Sequence, residues 1–152
     1  MRRLSGYPRW FYAALMIVVT ALVASGILLL PNMIELRLDM DAPVHLSGSL
    51  RLASAAAHSF TAFLAIGVVG ALATVHMRVG WNRKQNRKSG ISLLALFFFL
   101  LASAVGIYYF GDMDLSRLSS LSHSLVGLVL VLLFAWHAVV GRRIRLQKRR
   151  GR

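Results

Sequence analysis

The sequence predicts an all-α integral membrane protein, a four-helix bundle threaded up-down-up-down as two parallel-related helical hairpins. Three observations carry that prediction. Four apolar stretches are long enough to cross a bilayer, the loops joining them alternate in charge, and the two halves echo each other. The 152 residues are 57% hydrophobic with a mean hydropathy of +0.65, far more apolar than a soluble domain of this size requires. No composition shift marks a second domain, so residues 1–152 read as one membrane domain.

The first stretch covers residues 11–30. A spanning helix needs about 20 mostly apolar residues, and lipid offers the backbone no hydrogen-bond partner, so such a run must be helical. Ala24-Ser25-Gly26 near its end invites a signal-peptide reading. The run is too long for the usual apolar region of such a peptide, about 7–15 residues, and is read as a span. Residues 31–50 then form a long outer loop. Ile34, Glu35, Leu36, Arg37, Leu38, Asp39, Met40 and Asp41 alternate with a period of two, which suggests a short strand or a segment lying on the membrane surface. Pro31, Pro43 and Gly48 punctuate this loop, which is read as a plain connector rather than a docking site.

The second stretch covers 52–76, the third 91–110 and the fourth 121–140. A polar, basic loop over 80–89 joins the second to the third, and a short loop beginning at Gly111-Asp112 joins the third to the fourth. Trp10, Trp81 and Tyr108 flank span ends as an interfacial aromatic belt does.

The net charge of +13 might suggest nucleic acid, but its distribution argues against that. Arg2, Arg3 and Arg9 precede the first span. Arg78, Arg83, Lys84, Arg87 and Lys88 follow the second. Arg142, Arg143, Arg145, Lys148, Arg149, Arg150 and Arg152 follow the fourth. All five acids, Glu35, Asp39, Asp41, Asp112 and Asp114, lie in the other two loops, with Arg37, Arg51 and Arg117. The positive-inside rule then predicts a multi-pass protein of the bacterial inner membrane with both termini cytoplasmic. The basic tail reads as a topology signal or a contact with anionic lipid, not DNA. The absence of cysteine excludes disulfides and thiolate-ligated metal centres.

The halves match in order. Ser25-Gly26-Ile27 echoes Val105-Gly106-Ile107, and Arg51-Leu52-Ala53-Ser54 with His58-Ser59 echoes Arg117-Leu118-Ser119-Ser120 with His123-Ser124. The halves share one orientation, as in a parallel repeat about an axis along the membrane normal.

Four histidines lie in spans that hold no Asp, Glu, Lys or Arg: His58 and His76 in the second, His123 and His137 in the fourth. Intramembrane ionisable side chains point to function by default, although a membrane histidine can also be a plain interhelical hydrogen-bonding group. At about 100° per residue, the 18-residue gap returns His76 to the face of His58, and the 14-residue gap leaves His137 about 40° from His123. His58 and His123 fall near the outer surface, His76 and His137 near the inner one. The rises of about 27 Å and about 21 Å differ by about 6 Å, which helix tilt or a tilted cofactor must absorb. Neutral imidazole is the commonest metal ligand, and bundles build such sites from facing helices. Each level offers two ligands, whereas structural zinc wants four. Haem asks for only two axial ligands, so the readings are two haems, one haem, or structural histidines and some other ligand. His58 with His123 and His76 with His137 are the expected iron pairs.

Small residues beside these histidines, Ala62, Ala65, Ala73, Gly127 and Gly141, leave room for a planar group, though membrane helix packing enriches them too. Arg51 and Arg117 at the outer ends, and Arg78, Arg142 and Arg143 at the inner ends, are candidates to pair with propionates or simply set topology. His45, in the outer loop, reads as a surface residue, with a replacement for His58 as the lesser option.

His123 and His137, with Gly127 between them, resemble the ligand helix of bacterial membrane cytochromes b. The plan is similar to the haem-bearing subunits of membrane formate dehydrogenases and hydrogenases. It also resembles small four-helix proteins of this superfamily, whose helices carry His followed by Gly four residues on, as in His123-Ser124-Leu125-Val126-Gly127. The resemblance covers the second to fourth helices. It implies bis-histidine haem b and electron exchange with quinone or a redox partner protein. Some relatives place a ligand on the first helix, which has no histidine here, so His76 must serve instead. No residue set suggests nucleophilic or acid–base catalysis, and no Gly-rich phosphate loop is present. The expected role is electron transfer rather than stand-alone catalysis. A non-redox anchor subunit is the alternative, and a transporter lacks a polar path through the spans.

Overall fold

The computed structural model describes residues 6–150, with side chains at 148 and 149 excepted. The expected positions of Arg2, Arg3 and Arg152 on the basic side fall outside the described residues, as do the side chains of Lys148 and Arg149. The chain is all-α: α1 (Phe11–Leu38), α2 (Gly48–Leu72), a π turn (Ala73–Met77), α3 (Arg78–Asn82), α4 (Arg87–Tyr109) and α5 (Met113–Arg150). Among the described residues there is no strand. Four helical stretches are long and apolar enough to cross a membrane: Phe11–Leu38, Gly48–Asn82, Arg87–Tyr109 and Met113–Gln147. The protein is a multi-pass membrane protein.

Each helix outruns the apolar stretch that predicts it, because backbone hydrogen bonding continues where hydrophobicity stops. The outer segment is the clearest correction. Neither a strand nor a surface-lying loop forms at residue 34, because α1 runs on to Leu38 through Pro31. Proline removes one ladder hydrogen bond but keeps a helical φ. Glu35 then sits on the last turns of α1, past the apolar run, where Arg51 and His45 reach it. The helix stops at Asp39, whose φ of 51° and ψ of 40° are left-handed. Aspartate tolerates that region better than most side chains.

The other termini follow from their capping residues. The Ser47 hydroxyl accepts from Leu50 N–H at the start of α2. The Asp112 carboxylate accepts from Leu115 N–H at 2.8 Å and its carbonyl from Ser116 N–H at 3.0 Å, so α5 starts eight residues before its apolar run.

The chain divides into two compact units, Met1–Val79 and Gly80–Arg152. Each is an antiparallel hairpin. In the first, Glu35 meets Arg51, Ser25 meets His58 and Tyr7 meets Ala71. In the second, Ile107 meets Ser116, Ser103 meets His123 and Ser89 meets His137. Partners recede from the turn on both helices together.

The packing inverts that of a water-soluble protein. Ser25, Ser103, Ser116, Ser119 and Ser120 are buried, while Phe60, Phe63, Leu125, Leu128 and Leu132 are exposed. With no hydrophobic drive between helices in lipid, small side chains let backbones approach closely while large apolar ones face the acyl chains. Gly106 marks the tightest approach, since a Cβ there would collide with the Ser119 hydroxyl and stand 2.8 Å from the Phe110 ring.

Candidate cofactor-ligand histidines

His58 stands on α2 opposite Ser25 of α1. The buried Ser25 hydroxyl lies 2.7 Å from Ala21 O and 3.1 Å from Leu22 O, both on its own helix. It also lies 3.1 Å from His58 Nδ1. A hydroxyl has one hydrogen and two lone pairs. Its hydrogen goes to the α1 carbonyls, so Ser25 accepts from His58 Nδ1–H. That network assigns the tautomer and puts the ring's lone pair on Nε2. Beside it, a Cβ on Gly26 would lie 3.2 Å from His58 Cε1. The Nδ1–Cε1 edge of the imidazole therefore rests on Ser25-Gly26.

His123 on α5 repeats the pattern. Ser103 of α4 donates to Leu100 O at 3.1 Å and accepts from His123 Nδ1–H at 2.9 Å. His137, nearer the C-terminal end of α5, meets Ser89 and Asn86. Ser89 donates to Asn86 Oδ1 at 2.6 Å and stands 2.9 Å from His137 Nδ1. Asn86 Nδ2 lies 3.2 Å from His137 O and 3.1 Å from Nδ1. With Ser89's hydrogen on Asn86, the consistent arrangement has Nδ1–H donating to Ser89 and the Asn86 amide donating to the carbonyl. A Cβ on Gly90 would lie 3.7 Å from His137 Cε1, so a Ser-Gly pair again receives the ring edge.

His76 is held differently. It sits in the π turn Ala73–Met77. The Tyr7 hydroxyl donates to Ala71 O at 2.9 Å and accepts from His76 N–H at 3.1 Å. Residues 71 and 76 are five apart, the spacing of a π-type hydrogen bond, and the phenol is inserted into that link. An inserted side chain is a recognised cause of a local break in the helical ladder. The wide turn shifts His76 from the face an unbroken helix would assign it, by up to about 100°. The same-face expectation for His58 and His76 is corrected accordingly. It stands for His123 and His137, which share the unbroken α5.

No atom lies within 4 Å of where a Cβ would stand at Gly127 or Gly141, as expected of residues that make room. Among the described residues, no three His, Asp or Glu side chains gather as a metal site built from protein ligands alone would require. His45 is a surface residue engaged by Glu35, and Arg51 pairs with the same carboxylate while donating to Leu46 O at 2.9 Å. The hydrogen bond to His45 first, then the charge of Arg51, outweigh opposing desolvation and hold the Glu35 carboxyl below the usual carboxylate range. Arg51 is thus committed to Glu35, which weakens its candidacy as a propionate partner.

Sequence reasoning missed Ser25, Ser89, Ser103, Asn86 and Tyr7. A signal existed for Ser25 and Ser103, which are polar residues within apolar runs. Counting outward from each hairpin turn would have set Ser103 against His123. Tyr7 gave none, since it precedes the first span. No protein-family model, curated protein or solved structure matches this chain.

Proposed function

We propose that this chain is a b-type membrane cytochrome, with His58, His76, His123 and His137 as axial ligands of haem b, two haems in all. It exchanges electrons between the quinone pool and a redox partner protein, from a bacterial cytoplasmic membrane with both termini inside. The observation that carries this reading is the chemistry of the donors. Three of the four rings give Nδ1–H to a hydroxyl on the paired helix, which leaves the lone pair on Nε2. Metal-ligating histidines are held in this way by a partner on the other ring nitrogen. Haem supplies one-electron redox chemistry when bound; the protein supplies ligation, orientation and electrostatics. Ser25, Ser103 and Ser89 orient the rings, Gly26 and Gly90 admit them, and the apolar spans exclude water.

The competing reading is a non-redox anchor subunit, in which the same hydrogen bonds only join helices. A reduced-minus-oxidised absorption spectrum with pyridine-haem quantitation separates the two. The cytochrome gives a Soret band and two haems per chain, and each single His→Ala substitution removes about half the haem. An anchor gives no Soret band, and its His→Ala variants behave like the parent.

A further inference from the structure

We propose that Ser25, Ser103 and Ser89 are positioning residues that fix the ligating tautomer of His58, His123 and His137 and set the donor strength of each ring. The proposal rests on the haem-ligand reading of those histidines and assigns a role to residues on helices that carry no ligand of their own.

The geometry is specific. Each serine sits one helix across from its histidine, with hydroxyl oxygen and Nδ1 between 2.9 and 3.1 Å apart. In every case the hydroxyl hydrogen has another acceptor: Ala21 O for Ser25, Leu100 O for Ser103 and Asn86 Oδ1 for Ser89. A serine that merely filled space would not be committed as an acceptor three times over. Ser25 and Ser103 are also buried, so no solvent competes for the contact.

The chemical consequence follows from the proton on Nδ1. A hydrogen-bond acceptor there raises the basicity of the other nitrogen. A more basic Nε2 donates more strongly to iron and favours the oxidised state. Removing the acceptor weakens that donation and favours the reduced state. α1 and α4 thus become the tuning helices, and α2 and α5 the ligand helices.

The test uses the full chain with ¹⁵N-labelled histidine and the variants S25A, S103A and S89A. Ser→Thr counterparts restore the hydroxyl, and circular dichroism and gel filtration verify the fold of each variant. Imidazole ¹⁵N shifts in haem-free protein read the tautomer directly. The parent should show Nδ1–H at His58, His123 and His137. Each Ser→Ala change should mix the tautomers of its own histidine only, and threonine should restore the parent spectrum. In haem-loaded protein, each Ser→Ala change should raise one midpoint potential. A tenfold change in the oxidised-to-reduced ratio would read as about 59 mV for a one-electron couple. Parent rings carrying the proton on Nε2, or Ser→Ala variants with unchanged tautomer and potential, would overturn the serine role while leaving haem binding intact. A folded chain that takes up no haem would overturn the ligand reading instead, and the positioning role with it.

Discussion

The Tyr7 hydroxyl stands between Ala71 O and the His76 N–H, at 2.9 Å from one and 3.1 Å from the other. The residue therefore completes the ladder of α2 at the turn that carries a candidate ligand. Its ring stacks on Phe11 at a centroid distance of 4.3 Å, and a Cβ on Gly6 would lie 2.7 Å from Val75 Cγ1. The segment before α1 is fastened to the π turn by both backbone and side chain.

Removing that hydroxyl in Tyr7→Phe leaves Ala71 O and His76 N–H to find each other or remain unmet. A typical internal hydrogen bond is worth about 0.5–1.5 kcal/mol net. Thermal unfolding in detergent should fall by an amount in that range. The ¹⁵N resonance of the His76 amide should move, while those of His58, His123 and His137 stay in place.

The glycines offer a graded set. Gly106→Ala forces a Cβ against Ser119 and Phe110, and overpacking costs typically about 1–3 kcal/mol. Gly26→Ala presses on the His58 ring at 3.2 Å and should cost less. Gly70→Ala meets nothing within 4 Å and should be neutral or stabilising by up to about 1 kcal/mol, from helix propensity alone. Midpoints of denaturation in mixed micelles should therefore rank Gly70→Ala above the parent, then Gly26→Ala, then Gly106→Ala.

The orientation can be read with single cysteines, because the parent has none. In intact cells, cysteine at position 84 in the basic turn should resist a membrane-impermeant maleimide. Cysteine at position 41 or 112 should react. Labelling of position 84 together with protection of 41 and 112 would reverse the proposed topology.

The Glu35 cluster predicts a pH response at the outer end of the first hairpin. Its carboxyl titrates below the ordinary glutamate value of 4.5, with the His45 hydrogen bond as the leading cause and Arg51 next. A depressed carboxylate contributes stability that is fully present above the unfolded value and is lost as pH falls through the lower folded one. Amide exchange over residues 39–47 should therefore show no contribution from this carboxylate's titration above pH 4.5, and should quicken below it. Glu35→Gln should give faster exchange at all these values. The effect should be modest, since exposed ion pairs contribute little.

Composition and charge order were enough to establish an all-α, four-span membrane chain. Their physical basis is local: a 20-residue apolar run in lipid has no stable alternative to a helix. The histidines were visible for the same reason, as the ionisable side chains of those runs. What could not be read locally was where a helix departs from its average. Residues 34–38 alternate like a strand, yet helix propagation from α1 carries through them. The 18-residue interval between His58 and His76 looks like five even turns, yet an inserted tyrosine from another segment widens one of them. The identity of each histidine's hydrogen-bond partner likewise depended on hairpin register. Periodicity along one helix reports which face a residue occupies; only the packing of α1 on α2, and of α4 on α5, decides which hydroxyl meets that face, because the contact joins residues from 20 to 48 positions apart.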